Sequence, residues 1–273
     1  MSTVPTTGPG VRRLSPLALT LADSATMIRR SFKHALRYPS MTISTVLMPA
    51  FMLLLFVGLF GRSMRAGLAG TAADGLEYVD FVAPGVLVVA AAAAGVATSV
   101  AVCVDMTKGI VNRFRTMSIA RTSVLTGHVV GSVVQAMAGV ILVAGIALAM
   151  GFRPTAGVLE WLGALGLLTL LSFALTWLSV ALGLLAKNPE GASNTPLLFQ
   201  LLPFLGSAFV PTETLPSAVR WFAEYQPFTL INATLRGLLL GLPVGDNAII
   251  AVAWCLVLAV AGYAWSKMLF NRR

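Results

Sequence analysis

The chain has 273 residues, of which 57% are hydrophobic and 11% charged, and its mean hydropathy is +0.86, far from the composition of a soluble domain. That excludes a water-soluble enzyme, and it excludes reading the length as two soluble domains, because apolar runs of about 20 residues succeed one another along most of the chain. Nineteen Lys and Arg against ten Asp and Glu give a net charge of +9. The cations sort by membrane side rather than gathering on one face, so no nucleic acid partner is expected.

Residues 1–38 read as a cytoplasmic tail with an amphipathic elbow. Leu21, Ala25, Ile28, Phe32 and Leu36 recur at helical spacing on one stripe, and Arg29, Arg30, Lys33 and Arg37 occupy another. Such a helix lies in the interface, its cations toward anionic headgroups. It reads either as a topology anchor or as an elbow beside a cytoplasmic partner. Arg29-Arg30-Ser31-Phe32-Lys33 superficially matches a twin-arginine export signal. The run from Met41 to Phe60 is long enough to span and has no small-residue cleavage site, which makes it a retained first helix.

Residues 39–273 read as one all-α membrane domain. Spans are expected near Pro39–Phe60, Phe81–Val104, Val124–Met150, Trp161–Leu185, Ser193–Val210 and Ala248–Ser266. Phe228–Gly241 is too short to cross about 30 Å of hydrocarbon and is expected to form a re-entrant or interfacial piece between the fifth and sixth spans. With both termini cytoplasmic, fourteen Lys and Arg fall inside. Five, Arg62, Arg65, Arg153, Arg220 and Arg236, fall outside, as the positive-inside rule requires. A seventh crossing would put Lys267 to Arg273 on the wrong side. The expected location is the cytoplasmic membrane, with multiple passes.

The chemistry of an intramembrane enzyme is missing from the sequence. The two histidines, His34 and His128, form no H-E-x-x-H pattern. Gly61-Arg62-Ser63 is too weak a pattern for a serine nucleophile. Cys103 and Cys255 read as small core residues, since two thiols complete no metal spacing. The expected spans contain no Asp, Glu, Lys or Arg, so an ion-driven carrier has no buried relay. No Gly-Lys dipeptide exists from which a Walker-type phosphate loop could be built. If the chain takes part in a pump, the ATPase is another polypeptide. Gln135, Asn194 and Gln200 are expected to hydrogen-bond between helices, and the Ala90–Ala97 run permits close helix packing.

The loop after the second span reads Asp105-Met106-Thr107-Lys108-Gly109-Ile110-Val111-Asn112-Arg113-Phe114-Arg115-Thr116-Met117-Ser118-Ile119-Ala120-Arg121, followed by Leu125-Thr126-Gly127-His128. It resembles the cytoplasmic loop of ABC-2 type permeases of the daunorubicin-resistance kind, with Ser118 where the family usually has Pro. Further matching blocks are Leu185-Ala186-Lys187-Asn188-Pro189-Glu190-Gly191-Ala192, Phe209-Val210-Pro211-Thr212-Glu213-Thr214-Leu215-Pro216, Ala223-Glu224-Tyr225-Gln226-Pro227-Phe228-Thr229 and Ala233-Thr234-Leu235-Arg236-Gly237. The likeness covers Asp105 to Gly241.

The resemblance implies a six-helix exporter subunit working as two permeases, identical or related, with two separate ATPase subunits that carry ATP and Mg. Asp105, Lys108, Gly109, Arg113, Phe114, Arg115 and Arg121 would then form the ATPase-docking loop. Pro211, Glu213, Pro216, Glu224, Pro227 and Arg236 would belong to short external helices. The residues alone admit plainer readings: Arg113, Arg115 and Arg121 as positive-inside anchors, and Arg236 as a lipid anchor or a partner of Glu213 or Glu224 that snorkels outward. A path lined by Leu, Val, Met and Phe with sparse hydroxyls suits a hydrophobic or lipid-like compound. Lipid or lipid-linked glycan export, or a channel or scaffold without turnover, are the alternatives.

Overall fold

A computed structural model describes residues 39–66, 75–107, 123–212 and 215–272. Arg29, Arg30, Lys33 and Arg37 of the elbow, Lys108, Gly109, Arg113, Phe114, Arg115 and Arg121 of the basic loop, and Glu213 lie outside those residues. Among the described residues every regular element is helical.

Helix α1, Pro39–Leu53, continues directly into a π-helical stretch, Leu54–Leu59, and α2 is Gly61–Ala66. Then come α3 (Tyr78–Thr107), α4 (Ser123–Ala149) and α5 (Val158–Leu185). Helix α6 (Pro189–Leu201) ends in a 3-10 turn, Leu202–Leu205. Two short helices, α7 (Ser217–Tyr225) and α8 (Pro227–Leu240), precede α9 (Asn247–Arg272). Of the described helices, α3, α4, α5 and α9 are long and apolar enough to cross a membrane, and Val46–Leu59 is a shorter apolar helix.

Helix α3 is the axis of the bundle. It is apolar on all sides and buried almost without a break from Tyr78 to Gly95, as a helix surrounded by other helices must be. It touches α1, α4, α5, α6 and α8. Small residues make its seam with α5. A Cβ added at Gly183 would stand 2.5 Å from the carbonyl oxygen of Ser99, and one at Gly95 would stand 2.6 Å from Ser179 Oγ. Ser172 Oγ donates to Ala91 O across the same seam at 2.8 Å. The backbones therefore touch, which is how helices associate where no hydrophobic drive separates protein from lipid. The partner of the Ala90–Ala97 run is α5.

Helix α9 lies on α5 in the same fashion, with Gly262 against Trp177 and Leu178. Ser266 Oγ donates to Trp177 O at 3.0 Å. Cys103 and Cys255 are free and buried. Hydrogen bonds from Ser side chains thus join α5 to both α3 and α9, whereas Asn194, expected to bond between helices, is exposed.

Two expectations are corrected. The expected fifth span, Ser193–Val210, is helical only to Leu201 and 3-10 to Leu205. Pro203 has no N–H to continue the helical ladder, and summed hydropathy does not register that. The same helix starts earlier than expected because Asn188 caps it, its Oδ1 accepting from Gly191 N at 2.8 Å, with Pro189 in the first turn.

The apolar runs also understate helix length. The 30 residues of α3 rise about 45 Å, against about 30 Å of hydrocarbon. Asp80 and Asp105 consequently sit on its two ends. Lys267 and Arg272 belong to the last turns of α9 rather than to a tail.

Candidate functional site

Alternation of the long helices sorts the loops onto two ends. The end of α3, the start of α4, the end of α5 and the end of α9 meet at one of them, where Val102, Leu125, Leu184 and Phe270 form a small apolar cluster. Asp105 lies near the end of α3 and His128 on the second turn of α4. His128 Nε2 is 3.0 Å from Asp105 Oδ2. Cys103 Sγ donates to Ala186 O at 3.8 Å, which ties α3 to the turn carrying Lys187 and Asn188. Of the residues expected in the docking loop, Asp105 is the one the described residues include, and it stands at the root of that loop.

The opposite end holds the start of α3, the end of α4, the start of α5, and α7 with α8. Helix α8 starts where Pro227, in the first turn, needs no N–H partner. It stops at Gly241, whose φ of 69° closes the last turn in the left-handed region. Thr155 N donates to Leu239 O at 3.0 Å and pins that terminus to the loop before α5.

One face of α8 then presents Asn232 and Arg236, one turn apart, to the start of α3 and to the turn after α6. Arg236 is 9% exposed. Its Nε donates to Phe81 O at 3.0 Å, and its Nη2 donates to Ser207 O. The guanidinium carbon lies 3.6 Å above the Phe81 ring, a cation–π contact that gains strength where water is absent. Asn232 Nδ2 donates to Ser207 O at 2.9 Å. Tyr78 OH donates to Phe209 O at 3.1 Å, and Arg153 N donates to Asp80 Oδ1 at 2.9 Å.

This corrects the outward snorkelling expected of Arg236. Its guanidinium fork points inward, to carbonyls 155 and 29 residues away in sequence. Glu224, expected as its partner, instead accepts from Arg220 at 2.6 Å on the exposed face of α7. Pro216 caps the start of α7, and Pro211 is buried in the turn before it. Close approach makes the turn after α6 possible: a Cβ at Gly85 would stand 2.6 Å from Ala208 O. The buried amide of Gln226 and Asn232 Oδ1 have no hydrogen-bond partner among the described residues.

Sequence reasoning missed Phe81, Ser207 and Asn232, which appear as ordinary apolar or small polar positions until the turn after α6 is brought against α3. It also left His128 unused. An acid near the end of one helix and a histidine near the start of the next stand at matching depth, and that spacing is the signal by which the pair is recognisable. Among the described residues no cluster of His, Cys, Asp or Glu could hold a metal ion.

The family model described as ABC-2 type transporter matches residues 24–240. The daunorubicin resistance ABC transporter permease protein DrrB1 of Streptomyces coeruleorubidus is 33% identical over 214 residues, 77% of this chain and 71% of that protein. The probable doxorubicin resistance ABC transporter permease protein DrrC of Mycobacterium tuberculosis, in each of two strains, is 22% identical over 175 residues, 61% of this chain and 63% of that protein. The match runs from residue 24 to the last residue of α8 and takes in both ends of the bundle; the chain belongs to the ABC-2 type transporter family.

Proposed function

We propose that this chain is the membrane subunit of an ATP-driven exporter that moves a hydrophobic or amphipathic compound, of the kind to which anthracycline drugs belong, out across the cytoplasmic membrane. The family match over residues 24–240, with its similarity to drug resistance permeases, carries the proposal. In this reading six segments cross: α1 with its π continuation, α3, α4, α5, α6 with its 3-10 turn, and α9. Helices α7 and α8 form a short pair at the outer end. Both termini face the cytoplasm, where fourteen of the nineteen cations gather.

Two permeases and two separate ATPase subunits form the working unit, and the ATPases carry ATP and Mg. Their closure is felt by the loop Asp105–Arg121 and the elbow Leu21–Arg37. The cations Arg29, Arg30, Lys33 and Arg37, with Lys108, Arg113, Arg115 and Arg121, provide the basic contacts, and Gly109 and Phe114 belong to the same docking loop. The apolar surface of the helices favours a compound bound by area with few orienting polar groups.

The test is daunorubicin transport by vesicles containing this chain with its ATPase. Vanadate-sensitive, ATP-dependent movement that vesicles lacking the chain do not show is the expected result; equal traces with and without the chain would remove the proposal. Charge reversal at Arg113 and Arg115 should reduce ATPase co-purification, and an unchanged pull-down would leave those residues as topology anchors.

A further inference from the structure

The two roots of the basic loop are joined by a side-chain pair. His128 Nε2 and Asp105 Oδ2 are 3.0 Å apart, and the two side chains are 24% and 22% exposed. A carboxylate can only accept, so a hydrogen bond between the two requires Nε2 to be the donor. Deeper in the bundle, seven residues back along α3 and four onward along α4, Thr98 Oγ1 and Ser132 Oγ are hydrogen-bonded at 2.6 Å. These steps keep to one face of each helix. The two pairs are therefore successive rungs of a single seam between α3 and α4.

Dispersion contacts between apolar helices are individually weak and non-directional, so they resist sliding poorly; a directed hydrogen bond fixes register. On an adjoining face α3 is held by backbone contact with α5 at Gly183 and Ser99. A push on the loop thus enters a shaft, α3, that is already fixed to α5, and reaches α4 in register only if the two loop roots are held together. Resting on the ATP-driven reading above, we propose that His128 is a positioning residue. Through Asp105 it clasps α3 to α4 at the base of the loop, so that a stroke delivered to the loop moves the two helices as one body.

The experiment uses the complete exporter, permease with ATPase, in proteoliposomes, with daunorubicin as the probe and ATP hydrolysis measured in the same vesicles. His128→Leu keeps the bulk and removes the donor, whereas His128→Gln places an amide N–H at similar reach. Expected for His128→Leu is ATPase assembly and hydrolysis at wild-type levels with daunorubicin moved per ATP reduced about five-fold, the scale of a typical coupling change between sites. His128→Gln should recover most of that loss. An unchanged ratio in His128→Leu would overturn the clasp. So would a loss of assembly or accumulation that His128→Gln does not restore, because the residue would then serve folding alone. If the wild type itself shows no ATP-dependent transport, the exporter reading fails first and the clasp falls with it; transport by the wild type separates the two failures.

Discussion

At the end of the bundle where α3 starts a cation is held by backbone, and at the end where α3 stops an acid is held by a side chain. Arg236 donates to the carbonyls of Phe81 and Ser207 and lies on the Phe81 ring. Asp105 meets His128 at the edge of solvent. Carbonyls cannot turn away without moving the segments that carry them, so the Arg236 node ties α8, the start of α3 and the turn after α6 into one block. A carboxylate and an imidazole can part by rotation about side-chain bonds alone. The contrast sets a node fixed through backbone at one end of the bundle against a side-chain clasp at the other.

The strongest attempt to break this comparison is Arg236→Ala. It leaves two carbonyls in an apolar site without their charged donor, and the expected loss of stability is about 3 kcal/mol, at the upper range for hydrogen bonds to charged groups. Arg236→Lys should restore only part of it, since an ammonium cannot reproduce a planar fork with two donors and a ring contact. Thermal unfolding in detergent reads both, and two variants as stable as the wild type would show that the node does not bind the block together. At the other end, His128→Leu should lower stability by about 1 kcal/mol or less, as expected for one hydrogen bond between partly exposed partners.

Glycine replacements on α5 sharpen the account of the shaft between the two ends. Gly183→Ala brings a methyl against the Ser99 carbonyl and should cost about 1–3 kcal/mol by overpacking. Gly166→Ala, on the same helix with nothing within 4 Å of its Cβ position, should raise stability by up to about 1 kcal/mol through helix propensity. Opposite signs in the unfolding temperature are the expected outcome; equal signs would mean that α3 and α5 do not touch where the structure places the contact. The smallest effect belongs to Glu224→Ala. Its pair with Arg220 is exposed at i,i+4 and should contribute about 0.5 kcal/mol or less, a shift close to the limit of the same measurement.

Element by element, the sequence was most informative where hydropathy and caps act locally. The span beginning at Val158 ends at Leu185, as expected, because the apolar run stops there and Lys187-Asn188-Pro189 cannot extend it. Pro227 begins α8 as expected for the same local reason. The stretch Ser193–Val210 was read as one helix because averaged hydropathy does not distinguish an apolar helix from an apolar turn, and Pro203 turns it. Arg236 was read as an outward cation because charge next to a membrane normally seeks water. What reversed it was the arrival of Phe81 and Ser207, which are remote in sequence.

By itself, the sequence determined that this chain lies in a membrane as a bundle of helices, that its cations crowd the segments assigned to one side, and that it contains no Gly-Lys dipeptide from which a Walker-type loop could be built. Those properties are sums over local windows or spacings of a few residues, and they survive whatever the helices do to one another. Only the tertiary structure decided that α3 is the shaft, that Gly183 lets α5 reach it, that Arg236 turns inward, and that His128 finds Asp105. Each depends on which helix faces which and at what depth, and apolar runs of similar length and hydropathy carry almost no information about their neighbours until small residues and hydrogen bonds select one packing.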